Sequence, residues 1–142
     1  MEYHVDAKNK VLGRLASDIS LMLQGKKSAG FERNRVSGDK VYVSNYDAIV
    51  VTGNKATDKI YYQHTGYVGH LKEKTFEQHM ERDPKFVLRR AVRKMLPQNF
   101  LTAKRLSNLI FVEADGLPKN AGKRVRPAKV TPKMRKLTTK TK

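Results

Sequence analysis

Ten lysines and arginines lie between Gly116 and Lys142, and no aspartate or glutamate lies among them. Ammonium and guanidinium groups strung together without counter-charge do one thing well: they replace the counterions condensed on a phosphate backbone. Lys123, Arg124, Arg126, Lys129, Lys133, Arg135 and Lys136 form the dense part of this run. The run supplies +10 of the formal +17, and the remaining +7 belongs to residues 1–115. Three more groups have residue types suited to nucleic acid. Between Thr52 and Tyr67, Lys55 and Lys59 bring charge, while Tyr61, His64 and Tyr67 bring flat rings that can stack on bases. Thr65 and Gly66 lie between the last two rings, and the glycine permits close backbone approach. Lys85, Arg89, Arg90, Arg93 and Lys94 fall at helical spacing, with no acidic residue between Asp83 and Glu113. Lys26 and Lys27, with Arg33 and Arg35, complete a basic loop.

Other chemistries find little support. The crossing from Asp6 to Gly13 offers one glycine where a dinucleotide fingerprint needs three, and no Gly-x-x-x-x-Gly-Lys-Ser/Thr phosphate loop occurs. His64 and His70 share a loop, but no carboxylate lies between Asp58 and Glu73 to support a metal. Those imidazoles are better read as stacking on bases or bonding to phosphate or backbone. No serine or threonine sits in a nucleophile-elbow sequence. Glu81 and Asp83 lie beside Arg82 and Lys85 at a helix end, where capping and solvated ion pairs account for them. The chain has no cysteine, which excludes disulfides and thiolate metal sites. No apolar run approaches the ~20 residues needed to span a bilayer. The N-terminus lacks a signal-peptide or transit pattern. A cytoplasmic protein is the simplest expectation; a processed organellar chain would read the same.

The elements that must carry these residues alternate between strand and helix. Tyr3–Asp6, Val41–Val43, Ile49–Val51 and Leu109–Val112 read as strands, with Lys59–Tyr62 as a further short one. Ile49–Val51 is continuously apolar, as in a strand buried on both faces of a parallel sheet. Tyr61 and Tyr62 are strand neighbours, so one of them must face the core. Leu12, Leu15, Ala16, Ile19, Met22 and Leu23 recur at helical spacing, and Gly25 sits at a helix C-terminal position. Thr75 with Gln78 forms a capping-box pattern opening a second helix. Asp83-Pro84 opens a third, which Pro97 stops, and Leu101–Leu106 reads as a short helix. Lys119–Lys142 holds Pro127, Pro132 and few apolar residues, too little to offset its chain entropy. The expectation is one α/β domain over residues 1–115 and a basic disordered extension over 116–142.

At this point the residues resemble a known family. The run Ile49-Val50-Val51-Thr52-Gly53-Asn54-Lys55-Ala56-Thr57-Asp58-Lys59-Ile60-Tyr61-Tyr62-Gln63-His64-Thr65-Gly66 is similar to the central signature of large-subunit ribosomal protein thirteen, bacterial type. Val5-Asp6-Ala7 with Leu12-Gly13-Arg14-Leu15-Ala16, and Ala91-Val92-Arg93-Lys94-Met95-Leu96-Pro97, resemble its flanking segments. The resemblance runs from about Tyr3 to Phe111. It implies a three-layer α/β/α domain with a mostly parallel sheet of about four strands. It further implies direct binding to large-subunit ribosomal RNA, support of early subunit assembly, ribosomal protein neighbours, and no catalysis or cofactor. Arg14, Lys55, Lys59, Arg93, Lys94, His64 and Gly66 acquire an RNA-contact role through it. Gly30–Asp39 matches poorly, and the family's His-Pro-His region after the last strand is replaced here by the cationic run.

The leading expectation is thus a structural, monomeric RNA-binding constituent of the large ribosomal subunit, with no membrane partner or small-molecule substrate. Its rivals are a nucleotide- or metal-dependent RNA-processing enzyme and a regulatory binder of messenger RNA.

Overall fold

A computed structural model of the chain describes residues 1–113. The expected extension, with Lys123, Arg124, Arg126, Lys129, Lys133, Arg135 and Lys136, lies outside the described residues. Three short strands, β1 (Glu2–Asp6), β2 (Lys40–Ser44) and β5 (Leu109–Phe111), form a parallel sheet with β2 at its centre. Tyr3 aligns with Val41 and Val41 with Leu109, while Val5 aligns with Val43 and Val43 with Phe111. These residues share one face of the sheet, because side chains alternate along a strand and aligned residues point the same way. Val41 and Val43 are fully buried there.

Two helices belong to the core that this face closes. The stripe Leu12, Leu15, Ala16, Ile19 and Leu23 makes one side of α1 (Leu12–Leu23) apolar. Val87, Leu88 and Val92 do the same for α4 (Pro84–Met95). α1 packs along α4 and against β2. The expected caps are present. Thr75 Oγ1 accepts from the Gln78 amide, and Gln78 Oε1 accepts from the Thr75 amide, so a capping box opens α3 (Phe76–Arg82). The Asp83 carboxylate accepts from the Phe86 amide, with Pro84 at the first position of α4. Gly25 follows α1 with φ +77°, and a Cβ there would lie 2.7 Å from that of Ser37. α5 (Leu101–Ser107) forms where the short helix was expected.

Three expectations need correction. Ile49–Val51 is not a sheet strand. It follows a 3₁₀ turn (Tyr46–Ala48) and makes one isolated bridge, between Val50 and Val11. The Val50 carbonyl accepts from the Leu12 amide and the Val50 amide donates to the Lys10 carbonyl, so the segment satisfies the start of α1. Only Ile49 is deeply buried; Val50 is 43% exposed. The parallel sheet therefore has three strands among the described residues, not four. Second, β3 (Ile60–His64) pairs antiparallel with β4 (Leu71–Thr75), forming a separate hairpin where only the first strand was anticipated. A one-turn helix, α2 (Lys55–Asp58), precedes it. Third, the layering differs. The opposite sheet face carries His4, Tyr42 and Ile110, exposed or half-buried, with the first two rings stacked 5.0 Å apart. A second helical layer would bury these residues, so the described architecture is not the expected α/β/α sandwich.

Candidate nucleic-acid interface

The hairpin and α4 meet at an aromatic cluster that sets the geometry of the cationic side chains. Tyr61 faces inward, as strand alternation requires of one of the pair, while Tyr62 is 56% exposed. The Tyr61 ring meets His79 edge-on at 5.0 Å and Phe86 edge-on at 6.0 Å. His79 and Phe86 themselves stack at 4.6 Å. Burial pushes the Tyr61 phenol above its ordinary pKa, with nearby Arg90 partly opposing it, so the hydroxyl stays a donor at neutral pH. Burial, with help from Lys74 and Arg82, holds His79 below its ordinary value, against Asp83. Lys59 Nζ lies over the Tyr61 ring at 5.7 Å.

Beside this cluster a cleft of about 380 Å³ opens between the start of α1, α2, β3 and α4. Its floor is apolar, from Val11, Leu12, Val51, Ile60, Ala91 and Met95. Lys55, Lys59, Arg90 and Lys94 stand around it, and no carboxylate among the described residues lines it. Gly13 also lines the cleft, with Arg14 exposed next to it on the first turn of α1. A second depression joins Arg90, Arg93 and Lys94 to Gln98, Asn99 and Phe100, whose ring is 81% exposed. Sequence reasoning passed over Phe100 and the apolar floor. Exposed aromatics beside cations would have been the signal for the first; the floor is assembled from segments distant in sequence.

The stripe on α4 divides between two environments. Arg90 and Lys94 look into the cleft. On the other edge, Arg89 lies over Phe111 at 5.6 Å, and Lys85 lies over Tyr46 at 5.1 Å with Glu113 at 4.0 Å. A hydrogen bond with Tyr46 is the main cause that raises the Lys85 pKa, partly opposed by desolvation. Lys85 is thus held by groups of the fold itself. Arg93 is exposed between the two edges.

The remaining candidates scatter. The His64 ring accepts the Gly66 amide at 2.9 Å, fixing the turn in which Gly66 has φ +96°. Thr65 and Tyr67 are exposed beside it at the hairpin end, with the Tyr67 ring 6.2 Å from His70. Lys26 lies over Phe31 at 5.9 Å, with Lys27 exposed beside it. Arg33 and Arg35 have exposed side chains, but their carbonyls accept from Arg105 Nη2 at 3.3 and 3.4 Å. Arg105, which sequence reasoning did not single out, is 2% exposed and anchors this loop. Among the described residues no group of histidines and carboxylates could hold a metal ion. No described helix is long and apolar enough to cross a membrane.

Comparison with known proteins places this geometry in a lineage. The family described as Ribosomal protein L13 matches residues 1–115. The chain is 42% identical over 125 residues to the large ribosomal subunit protein uL13 of Alkalilimnicola ehrlichii, covering 88% of this chain and 87% of that one. It is 50% identical over 95 residues to the protein of the same description in Acidithiobacillus ferrooxidans, covering 67% of each. With the family match spanning the whole described α/β unit, and relatives aligned over most of their length, the chain belongs to the Ribosomal protein L13 family.

Proposed function

We propose that this protein is a structural constituent of the large ribosomal subunit, bound directly to large-subunit ribosomal RNA and supporting early assembly of the subunit. Members of this family are components of the ribosome, not enzymes, so its place of work is the ribosome in the cytoplasm. The observation that carries direct RNA contact is electrostatic. Lys55, Lys59, Arg90, Arg93 and Lys94 gather around one cleft and its neighbouring depression, and none forms an ion pair with a carboxylate among the described residues. Holding like charges together costs free energy that phosphate contact recovers through counterion release. RNA folds are recognised largely by shape and backbone, which suits cations gathered around a cleft that several elements build.

In this reading residues 1–115 orient the molecule and residues 116–142 add ten further cations. Arg14 beside the cleft, the basic loop with Lys26, Lys27, Arg33 and Arg35, and the hairpin end offer further exposed groups for RNA. The test is filter binding to large-subunit RNA across a salt series. With six to ten phosphates engaged, affinity should fall by roughly 10³–10⁵ between about 50 and 200 mM salt. A flat response would remove direct RNA binding as the basis of function.

A further inference from the structure

Neutralising phosphates requires only exposed cations, yet the cleft beside Tyr61 has more than that. Its floor is apolar and open: Ile60 and Met95 are each 41% exposed there. Apolar surface in a concave site gains free energy when something flat covers it. Its volume, about 380 Å³, falls within the range of roughly 300–1,000 Å³ seen for small-ligand sites. Tyr61 is held edge-on by His79 and Phe86, so its ring is oriented before any ligand arrives. Lys55, Lys59, Arg90 and Lys94 surround this floor.

An apolar floor, an aromatic wall and a cationic margin match one chemical unit, a base carrying phosphate on its sugar. A neighbouring protein's aromatic side chain would satisfy the floor but leave four cations to be met by acids. We propose that the cleft takes one unstacked nucleotide of the large-subunit RNA. Its base lies over Ile60 and Met95 beside Tyr61, and its flanking phosphates lie on Lys55, Lys59, Arg90 and Lys94. The inference rests on the RNA-binding reading above and adds to it a single-nucleotide site. Recognition of folded RNA commonly uses such splayed-out bases, stacked on aromatic rings.

The experiment uses the full chain bound to large-subunit RNA, irradiated with short-wave ultraviolet light and digested, with nucleotide adducts located by mass spectrometry. Adducts on Tyr61 or Met95 are expected. Gly13→Phe provides the blocking variant: a Cβ at Gly13 meets no heavy atom within 4 Å, and the residue lines the cleft. This variant should lose the cleft adducts and about 10-fold in RNA affinity, a loss of the size expected from one stacked base, and its salt slope should fall as the flanking phosphates leave Lys55, Lys59, Arg90 and Lys94. Adducts confined to other sites while RNA remains bound would overturn the nucleotide site and leave RNA binding standing. So would wild-type affinity and unchanged adducts in Gly13→Phe. Absence of any RNA binding by the wild type would overturn the broader reading first. Titration with adenosine or uridine monophosphate separates the sources. Saturable binding of these without any RNA adduct at Tyr61 would assign the cleft to a free nucleotide, against the proposal. The wild-type adduct map decides the matter even where the variant fails to fold.

Discussion

Arg105 fixes the basic loop from within. Its guanidinium is 2% exposed and reaches two carbonyls, those of Arg33 and Arg35, while its Nε finds no partner among the described protein groups. Hydrogen bonds from a charged donor contribute more than neutral ones, about 1.5–3 kcal/mol each. Arg105→Met retains bulk but removes both bonds. It should destabilise the fold by about 1–3 kcal/mol in urea unfolding and speed proteolysis between residues 31 and 37. Gly25 bears on the same region: at φ +77° a Cβ would press on Ser37 Cβ at 2.7 Å and Oγ at 2.9 Å. Gly25→Ala should therefore cost at least about 1 kcal/mol, since both conformation and space oppose it. His79 gives a pH dependence. Burial holds its pKa below the ordinary 6.5, so the unfolded chain takes up the proton first. Its stabilising contribution is complete above pH 6.5 and declines as pH falls below that value. Urea midpoints at pH 7.5 and 5.5 should drop further for the wild type than for His79→Phe, which keeps a ring against Tyr61 and Phe86.

At the scale of elements, α4 shows that a stripe of like charge need not be one surface. Arg90 and Lys94 serve the cleft, whereas Lys85 and Arg89 rest on Tyr46 and Phe111. Replacing Arg90 and Lys94 by glutamine should lower the salt slope of RNA binding by about 2, and replacing Lys85 should leave it almost unchanged. Equal effects at both edges, measured by filter binding, would make the whole stripe one interface. The stripe, the caps of α3 and α4, and the apolar side of α1 were legible in the sequence because each is a local pattern with a local cause. β4 was not. Leu71-Lys72-Glu73-Lys74-Thr75 has no apolar alternation, because the hairpin is largely exposed on both faces and most of the burial signal that marks a strand is missing. Ile49–Val51 misled in the opposite way: its residues suit a buried strand, yet the backbone is spent on the first turn of α1. The cleft was half legible. Its cations stood out, while its floor depends on Val11, Val51, Ile60 and Met95 converging from four segments, which no window of sequence contains.

At the scale of the whole molecule, the balance of charge divides the chain into two kinds of cation. Those of residues 1–115 are set among thirteen acidic residues, and many stand on helices and strands, Arg90 and Lys94 on α4 among them, so they can fix an orientation. Those of residues 116–142 number ten, with no acidic residue to oppose them and little apolar surface to bury. The family match ends at residue 115, so residues 116–142 lie outside it. Removal of residues 116–142 should therefore separate binding from folding. The truncated chain should unfold at the melting temperature of the full chain, within the few degrees that correspond to about 1 kcal/mol for a domain of this size. Its affinity for large-subunit RNA at about 100 mM salt should nevertheless fall, and the slope of log affinity against log salt should shrink by about 0.7–0.9 for each phosphate no longer neutralised. A melting temperature lowered by ten degrees or more would make residues 116–142 part of the fold. An unchanged slope would mean that the cations of the α/β unit engage the RNA alone.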